Sequence, residues 1–207
     1  MRSELWANVH AERAALVDDL ANRPHLDWAA PSLCEGWDVR DVVAHLAATA
    51  TLSPLSFISE FVRAGFRPDR IVDRQIQAAR QRPAAESLEA LRSAIHATAS
   101  PPQPTITRII EIVVHGEDIR RPLRIAHDYV TTHIADALRY LSRDHRFGAK
   151  TLIEGLELRA TDVDIAVGQG ARIDGPAVSL LLAASGRSAA LADLRGSGCQ
   201  LLKQRIE

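Results

Sequence analysis

The chain has 207 residues, of which 46% are hydrophobic and 25% are charged, and its formal net charge at pH 7 is −1. This composition is ordinary for a protein that buries a core, and the length suits one large domain or two smaller ones. The balanced charge gives no electrostatic footprint for nucleic acid or for an anionic membrane, and no apolar stretch is long enough to span a bilayer. The charged N-terminus lacks a signal-peptide core, so a cytoplasmic location is expected.

The two cysteines, Cys34 and Cys199, lie far apart in the sequence and outside any Cys-x-x-Cys motif. A structural disulfide is not expected in the cytosol, and a thiolate zinc site is not indicated. Any metal site is therefore expected to use histidine and carboxylate ligands. Cys34 has no base partner nearby in the sequence, which favours the role of a small, buried hydrophobic residue over that of a nucleophile.

The chain begins with a pattern that is typical of an amphipathic helix, over residues 3–22, which ends before Pro24. A long loop with turn-forming proline and glycine residues follows. This loop contains Trp28 and Trp37, and both tryptophans are interpreted as core anchors of the loop.

A second helix is predicted to start at Asp38, a candidate N-cap, with Asp41 at the third helical position. Its apolar side contains His45. A single histidine on an apolar face is more often a hydrogen-bonded core residue than a ligand, and the residues alone leave both interpretations open. Asp41 lies one turn before His45 and is a candidate partner for its ring.

Four more helices are predicted, three before and one after a central helix that is described next. A rigid, proline-rich connector at residues 100–104 leads into that central helix. Their ranges are 55–64, 69–81, 84–99 and 128–144, the last with Asp128 as its cap.

The central helix is predicted over residues 105–121, where apolar residues recur close to a 3.6-residue period. Within it, Glu111 and His115 stand four residues apart, which places their side chains on one face. A carboxylate and an imidazole so placed can share a metal ion, although a surface or core pair is the commoner meaning of so short a motif. Burial of Glu111 without a partner would be unfavourable, and a metal is one remedy. Asp118 could orient the His115 ring.

The pattern changes near residue 146. Alternating apolar and polar residues on both sides of Gly168 and Gly170 predict strands and a tight turn. A helix is then expected between Pro176 and Gly186, and a last helix from Gly198 to Arg205. This compact α/β unit of about 60 residues is near the small end for a self-standing domain, so it is expected to pack on the helical half.

Several segments of the chain form a recognisable set: PSLCEGWDVRDVVAHLA, EIVVHGEDIRRPL and the C-terminal stretches ELRATDVDIAVGQGARIDGPAVSLLLAASGR and DLRGSG. Together they resemble the mycothiol-dependent maleylpyruvate isomerase-like family, a branch of the DinB-like metalloenzymes. The resemblance covers nearly the whole chain. It implies an α+β fold, with a DinB-like four-helix bundle of up-down-down-up topology at residues 1–147 and a small α/β domain at residues 148–207.

The resemblance also implies a functional site. The family holds a divalent metal, usually zinc, with a histidine of the second bundle helix and a Glu-x-x-x-His pair of the third, and the matching residues here are His45, Glu111 and His115. Mycothiol, a low-molecular-weight thiol, would bind this metal as a thiolate and act on a small electrophile by cis–trans isomerisation or by S-transfer. An arginine of the C-terminal domain would bind an anionic substrate, with Arg187 as the first candidate and Arg195 as the second.

Two other functions stay open at this point. One is a non-catalytic, metal-binding regulatory protein on the same fold, and the other is a carrier of an apolar ligand in the C-terminal domain. The complete ligand set favours an enzyme over a regulatory protein. The short C-terminal domain disfavours a carrier of an apolar ligand. The expected partners are a small-molecule thiol and an electrophile, with neither nucleic acid nor membrane, and the protein is expected to be a monomer or a homodimer.

Overall fold

The computed structural model of the protein describes residues 2–144 and 148–207. Contacts within the chain define two compact units, Met1–Ala126 and His127–Glu207. The predicted domain boundary between residues 147 and 148 adjoins the stretch 145–147, which lies outside the described residues, and it stays a prediction. None of the described helices is long and apolar enough to cross a membrane.

The first unit is helical. Its described helices are α1 (Arg2–Ala21), α2 (Val39–Ala50), α3 (Pro54–Arg63), α4 (Pro68–Arg80), α5 (Ala84–Ser93) and α6 (Ile106–Arg120). The predicted helices of this region are confirmed, with one notable difference in length. Helix α5 ends at Ser93 rather than at residue 99, because the chain turns there and the carbonyls of Ala94 and Ala97 accept hydrogen bonds from the buried Arg13 of α1.

A four-helix bundle forms the core of this unit, as far as the described residues show. Helices α1 and α2 each pack against both α5 and α6, while α4 packs on α2 and α5 from outside. The side chains between the bundle helices are aliphatic and almost fully buried, and they include Leu16, Leu20, Val42, Val43, Leu91, Ile109 and Val113. Helix α5 is therefore the third bundle helix and α6 the fourth. The predicted place of the Glu-x-x-x-His pair on the third bundle helix is wrong, because α6 carries it.

The start of α2 is fixed by a capping box. Oδ1 of Asp38 accepts a hydrogen bond from the backbone N–H of Asp41 at 2.9 Å, and Oδ2 of Asp41 accepts one from the N–H of Asp38 at 3.3 Å. Two of the N–H groups that a helix start leaves without partners are satisfied in this way. The predicted cap is confirmed, and it sets where α2 begins relative to His45, two turns further on.

The second unit combines helices with a small sheet. Its described elements are α7 (Thr131–Leu141), α8 (Ala149–Leu152), β1 (Leu156–Ala160), β2 (Ala166–Gly168), β3 (Ala171–Gly175), α9 (Ala177–Ala184), a 3₁₀ helix at Ser188–Asp193 and α10 (Cys199–Ile206). The strand order is β2-β1-β3, with β2 antiparallel and β3 parallel to β1. The predicted strands, the two predicted helices that follow them and the α+β class are confirmed.

Two details of this unit differ from the predictions. Helix α7, predicted as the last helix of the N-terminal half, packs against α9 within the second unit. The predicted Asp128 cap is wrong, because the backbone of Val130 is still non-helical and α7 begins at Thr131 without a side-chain cap. The predicted turn between β2 and β3 is confirmed. There Gly170 has φ +133°, and a Cβ added to it would lie 2.0 Å from the carbonyl oxygen of Gly155, so no other residue fits.

Candidate metal centre

Packing of α2 against α6 brings two of the predicted ligands together. Nε2 of His45 on α2 lies 4.0 Å from Oε1 of Glu111 on α6, and the two side chains are 11% and 13% exposed. This distance is too long for a hydrogen bond. Nitrogen and oxygen donors about 2 Å from one tetrahedral zinc ion stand roughly 3.3 Å apart, so the two side chains would have to approach by about 0.7 Å to share such an ion.

The third predicted ligand, His115, lies one turn further along α6. Its ring centroid is 4.9 Å from that of His45, with the ring planes inclined by 73°. Nδ1 of His115 lies 2.9 Å from Oδ2 of Asp118, whose side chain is fully buried. The predicted orienting contact is therefore present. Because a carboxylate accepts the Nδ1 proton, the lone pair of the ring stands at Nε2, as in the carboxylate–histidine pairs of metal sites.

His45 is an uncharged histidine in this environment. Burial lowers its pKa to about 3, and the electrostatic interactions with His115 and Arg108 act in the same direction. Its Nδ1 is buried and has no hydrogen-bond partner among the described residues. The predicted partner Asp41 is wrong, because its carboxylate caps α2 and accepts a hydrogen bond from Nε of Arg80 at 3.0 Å.

Glu111 already has a charged partner in the bundle. Nη1 of Arg108, one turn earlier on α6, donates to both carboxylate oxygens at 3.2 and 3.0 Å. The burial of Glu111 is thus no argument for a metal by itself, which corrects part of the sequence reasoning. A carboxylate offers about four lone-pair directions, so a guanidinium and a metal ion can be accommodated together.

A second buried arginine stands close to this ion pair. Arg13 of α1 is 3% exposed. Burial lowers its pKa to about 10, while the charge of Glu111 raises that pKa and the charge of Arg108 lowers it. The core around Glu111 therefore contains more positive than negative charge among these three side chains. This surplus favours an anionic group in the same region.

Cys34 lies against the site, contrary to the predicted role of a buried hydrophobic residue. It is half-buried, and its Sγ donates to Oδ2 of Asp118 at 3.0 Å and lies 3.7 Å from Nδ1 of His115. The loop that carries it is attached to α6, because the backbone N–H of Leu33 donates to the carbonyl oxygen of Asp118 at 3.1 Å. Among the described residues, Cys34, His115 and Asp118 form a group of His, Cys and acidic side chains whose possible ligand atoms all lie within 4.8 Å of one another. The predicted set His45, Glu111 and His115 does not meet this distance.

Trp37 forms a wall of the site, so its interpretation as a core anchor is wrong. The side chain is half-buried, and its ring lies nearly parallel to that of His115 at a centroid distance of 6.3 Å. The same ring is 5.3 Å from that of His45. Trp37 therefore restricts the orientation of both imidazoles.

Arg187, the predicted substrate-binding arginine, belongs to the second unit. It precedes the 3₁₀ helix, is half-buried, and donates from Nη1 to the carbonyl oxygen of Ser185 at 2.8 Å. Its role with a substrate stays a prediction.

The sequence reasoning missed the contributions of Arg108, Arg13, Cys34 and Trp37. Only the first carried a usable local signal, since Arg108 stands three residues before Glu111 and such pairs meet on a helix. The others reach the site through loop and helix packing over long sequence separations.

Comparisons with known proteins agree with this fold. The mycothiol maleylpyruvate isomerase N-terminal domain family matches residues 9–104. Two similar solved structures are the crystal structure of the mycothiol-dependent maleylpyruvate isomerase and that of a histidine-to-alanine mutant. Their sequence identities are 14% and 13% and their TM-scores 0.66 and 0.67, and each match covers 95% of this chain and 93% of the other. Comparison with curated protein sequences gives no match.

Proposed function

We propose that the protein is a cytoplasmic, metal-dependent enzyme that uses a low-molecular-weight thiol of the mycothiol type, because residues 9–104 match the mycothiol maleylpyruvate isomerase N-terminal domain family. The thiol acts on a small electrophile, by cis–trans isomerisation or by S-transfer. The predicted resemblance to this family is confirmed by the domain match. The metal, the thiol and the reaction are proposals that build on it.

The observation that carries the proposal is the position of His45, which approaches both other ligands where α2 packs on α6. Its Nε2 lies 4.0 Å from Oε1 of Glu111, and its ring centroid lies 4.9 Å from that of His115. Two imidazoles and a carboxylate are a ligand set that zinc accepts while keeping an open position. The residues fit such an ion in three respects. His45 has a buried ring nitrogen without a hydrogen-bond partner among the described residues, His115 is oriented by Asp118, and Glu111 retains lone pairs beside Arg108.

A zinc ion bound by these residues would lower the pKa of a thiol, so that a thiolate nucleophile is present at neutral pH. The protein's own groups have separate tasks. Asp118 keeps a proton at Nδ1 of His115, Trp37 covers one side of both imidazole rings, and Arg108 balances the charge of Glu111. Arg187 is the proposed cation for an anionic substrate.

The thiolate chemistry accounts for both reaction types. A thiolate that adds to an electrophilic alkene allows rotation about the former double bond, and its departure leaves the isomerised product. A thiolate that displaces a leaving group becomes part of the product, which is an S-transfer. Maleylpyruvate is the natural first probe, because it is the substrate named for both similar solved structures.

The first experiment measures zinc content and mycothiol binding in the full chain. The variants are made with Cys34→Ser, so that no thiolate contributes to metal binding. We expect Cys34→Ser alone to hold one zinc ion at this centre and to bind mycothiol by isothermal titration, whereas His45→Ala and Glu111→Gln in that background lose both, because each removes a ligand. His115→Ala is expected to lose zinc and any thiol-dependent activity as well. The control is His25→Ala, which changes an exposed histidine of the loop after α1.

Full zinc occupancy when His45→Ala or Glu111→Gln is combined with Cys34→Ser would contradict the proposed centre. Zinc binding without mycothiol binding in the wild type would instead support the non-catalytic, metal-binding alternative.

A further inference from the structure

We propose that Cys34, His115 and Asp118 form a second metal site, which takes thiophilic divalent ions and shares His115 with the first centre. The existence of this site does not depend on the proposed function. Its effect on the first centre does rest on that function.

The three donor atoms already form a triangle. The Sγ–Oδ2, Sγ–Nδ1 and Nδ1–Oδ2 distances are 3.0, 3.7 and 2.9 Å. Around a tetrahedral zinc ion, one sulfur, one nitrogen and one oxygen ligand stand roughly 3.4–3.6 Å apart. The Sγ–Nδ1 edge therefore fits already. The two hydrogen-bonded edges need to open by about half an ångström, the change expected when a metal replaces bridging protons.

The surrounding structure holds this triangle in place. Asp118 is fully buried on α6, and its backbone carbonyl accepts a hydrogen bond from Leu33, next to the cysteine. The backbone N–H of Cys34 donates to Oγ of Ser32 at 3.1 Å, and that hydroxyl donates to the carbonyl oxygen of Trp37 at 2.9 Å. The loop is thus tied both to α6 and to the tryptophan that stacks on His115.

An ion has a path to this site from solvent. An open groove of about 420 Å³ runs along the loop, and Cys34, Trp37, Asp38 and Arg80 contribute to its lining. The groove reaches the site at Cys34, whereas His115 and Asp118 lie behind its lining. An entry path to one donor of a pre-organised set is one of the usual requirements for a metal site.

The proton balance of binding is simple. The thiol proton of Cys34 leaves to solvent, and the proton of His115 moves from Nδ1 to Nε2, so that Nδ1 can bind the ion. The resulting thiolate, neutral imidazole and carboxylate carry two negative charges against the two positive charges of the ion. The thiolate selects ions such as Zn²⁺, Co²⁺ and Cd²⁺ over Mg²⁺ and Ca²⁺.

Occupation of the second site has a consequence for the first. Once Nε2 of His115 carries a proton, it has no lone pair to offer beside His45 and Glu111. The two sites therefore compete for one imidazole, and an excess of thiophilic metal acts as an inhibitor of the proposed enzyme. In this way a shared ligand couples metal supply to activity.

Cobalt(II) titration of the metal-free full chain, in a reductant without thiols, tests the proposal. We expect a thiolate-to-cobalt charge-transfer band in the near ultraviolet for the wild type and its loss in Cys34→Ser. The matched control is Cys199→Ser, which removes the other cysteine and keeps the band. His45→Ala and Glu111→Gln also keep it, because neither residue belongs to the second site.

A second measurement needs no substitution. Cobalt should slow the alkylation of Cys34 in the wild type, about tenfold at a concentration ten times the Kd, and leave that of Cys199 unchanged, as followed by mass spectrometry of the peptides. This keeps the test valid even if Cys34→Ser fails to fold by circular dichroism.

The proposal is overturned if the wild type shows no thiolate band and no protection, or if Cys199→Ser removes the band. It is also overturned if His45→Ala and Glu111→Gln both remove it, since Cys34 would then belong to a single centre. Failure of the proposed function looks different, because the wild type would lack mycothiol binding while the band persists.

Discussion

His10 and Arg13 lie one turn apart on α1, and both face the turn that follows α5. The His10 ring is 5.4 Å from the ring of His96 and 5.9 Å from that of Trp6, while Arg13 donates to the carbonyl oxygen of Ala97. Burial lowers the pKa of His10, and the charges of Arg13 and His96 lower it further, against a smaller opposing effect of the Ala97 backbone. The folded protein therefore disfavours the protonated form of His10.

This environment predicts a pH dependence of stability. The histidine pKa in the unfolded chain is about 6.5. Because the folded pKa of His10 is lower, the unfolded chain binds more protons below pH 6.5, and the free energy of unfolding falls as the pH drops through that value. The free energy of unfolding stops falling only when the pH is below the pKa of His10 in the folded protein. We expect His10→Gln to lose less stability than the wild type between about pH 7.5 and pH 5.5.

Urea denaturation at several pH values checks this expectation. The control is His25→Gln, an exposed loop position, which should follow the wild-type pH dependence. Equal losses in His10→Gln and in the wild type would show that His10 does not contribute.

At the scale of elements, a buried ion pair joins α1 to the C-terminal end of α6. Arg120 is fully buried, and its Nε donates to Oδ2 of Asp19 at 2.8 Å. The sequence suggested only a basic helix end at this position. The structure shows that a residue of the helix that carries Glu111 and His115 is held by α1 through this contact.

Removal of the carboxylate charge should destabilise the bundle. We expect Asp19→Asn to lower the free energy of unfolding by about 2 kcal/mol, because a buried guanidinium loses a charged partner. Asp18→Asn is the matched control, since Asp18 is exposed on the same helix and should change the value little. Chemical denaturation monitored by circular dichroism measures both, and an equal effect of the two substitutions would contradict the role of the pair.

The elements themselves could largely be predicted, because their signals are local. The apolar period marked α1, α2 and α6, and the Asp38–Asp41 capping box fixed the start of α2. Glu111 and His115 could be paired for the same reason, since a spacing of four residues is read within one helix.

Other parts of the site depended on packing that no local pattern contains. Cys34 meets Asp118 across 84 positions of the chain, and the partner of Asp41 proved to be Arg80 on α4 rather than the nearby His45. Such contacts form when distant parts of the chain pack together. The spacing of residues in the sequence does not predict them. The association of α7 with α9 escaped prediction for the same reason, because both are ordinary amphipathic or apolar helices with several possible neighbours.

The residues assigned to the proposed function belong to different units of the chain. His45, Glu111, His115, Cys34 and Asp118 all belong to the first unit, whereas Arg187 and Arg195 belong to the second. A loss of metal and a loss of substrate binding should therefore separate in variants of the two units.

Arg187→Ala is the variant that tests this division. We expect it to keep the zinc content and mycothiol binding of the wild type, because no proposed ligand is altered. Its kcat/KM for mycothiol-dependent isomerisation of maleylpyruvate should fall about tenfold to a hundredfold, since a hydrogen bond to a charged group contributes ~1.5–3 kcal/mol.

Arg159→Ala, which changes an exposed residue of β1, is the control and should leave zinc content, mycothiol binding and kcat/KM unchanged. Arg195→Ala completes the series. If it lowers kcat/KM while Arg187→Ala does not, the substrate-binding arginine is Arg195, and if zinc is lost from Arg187→Ala, the division between the units is wrong.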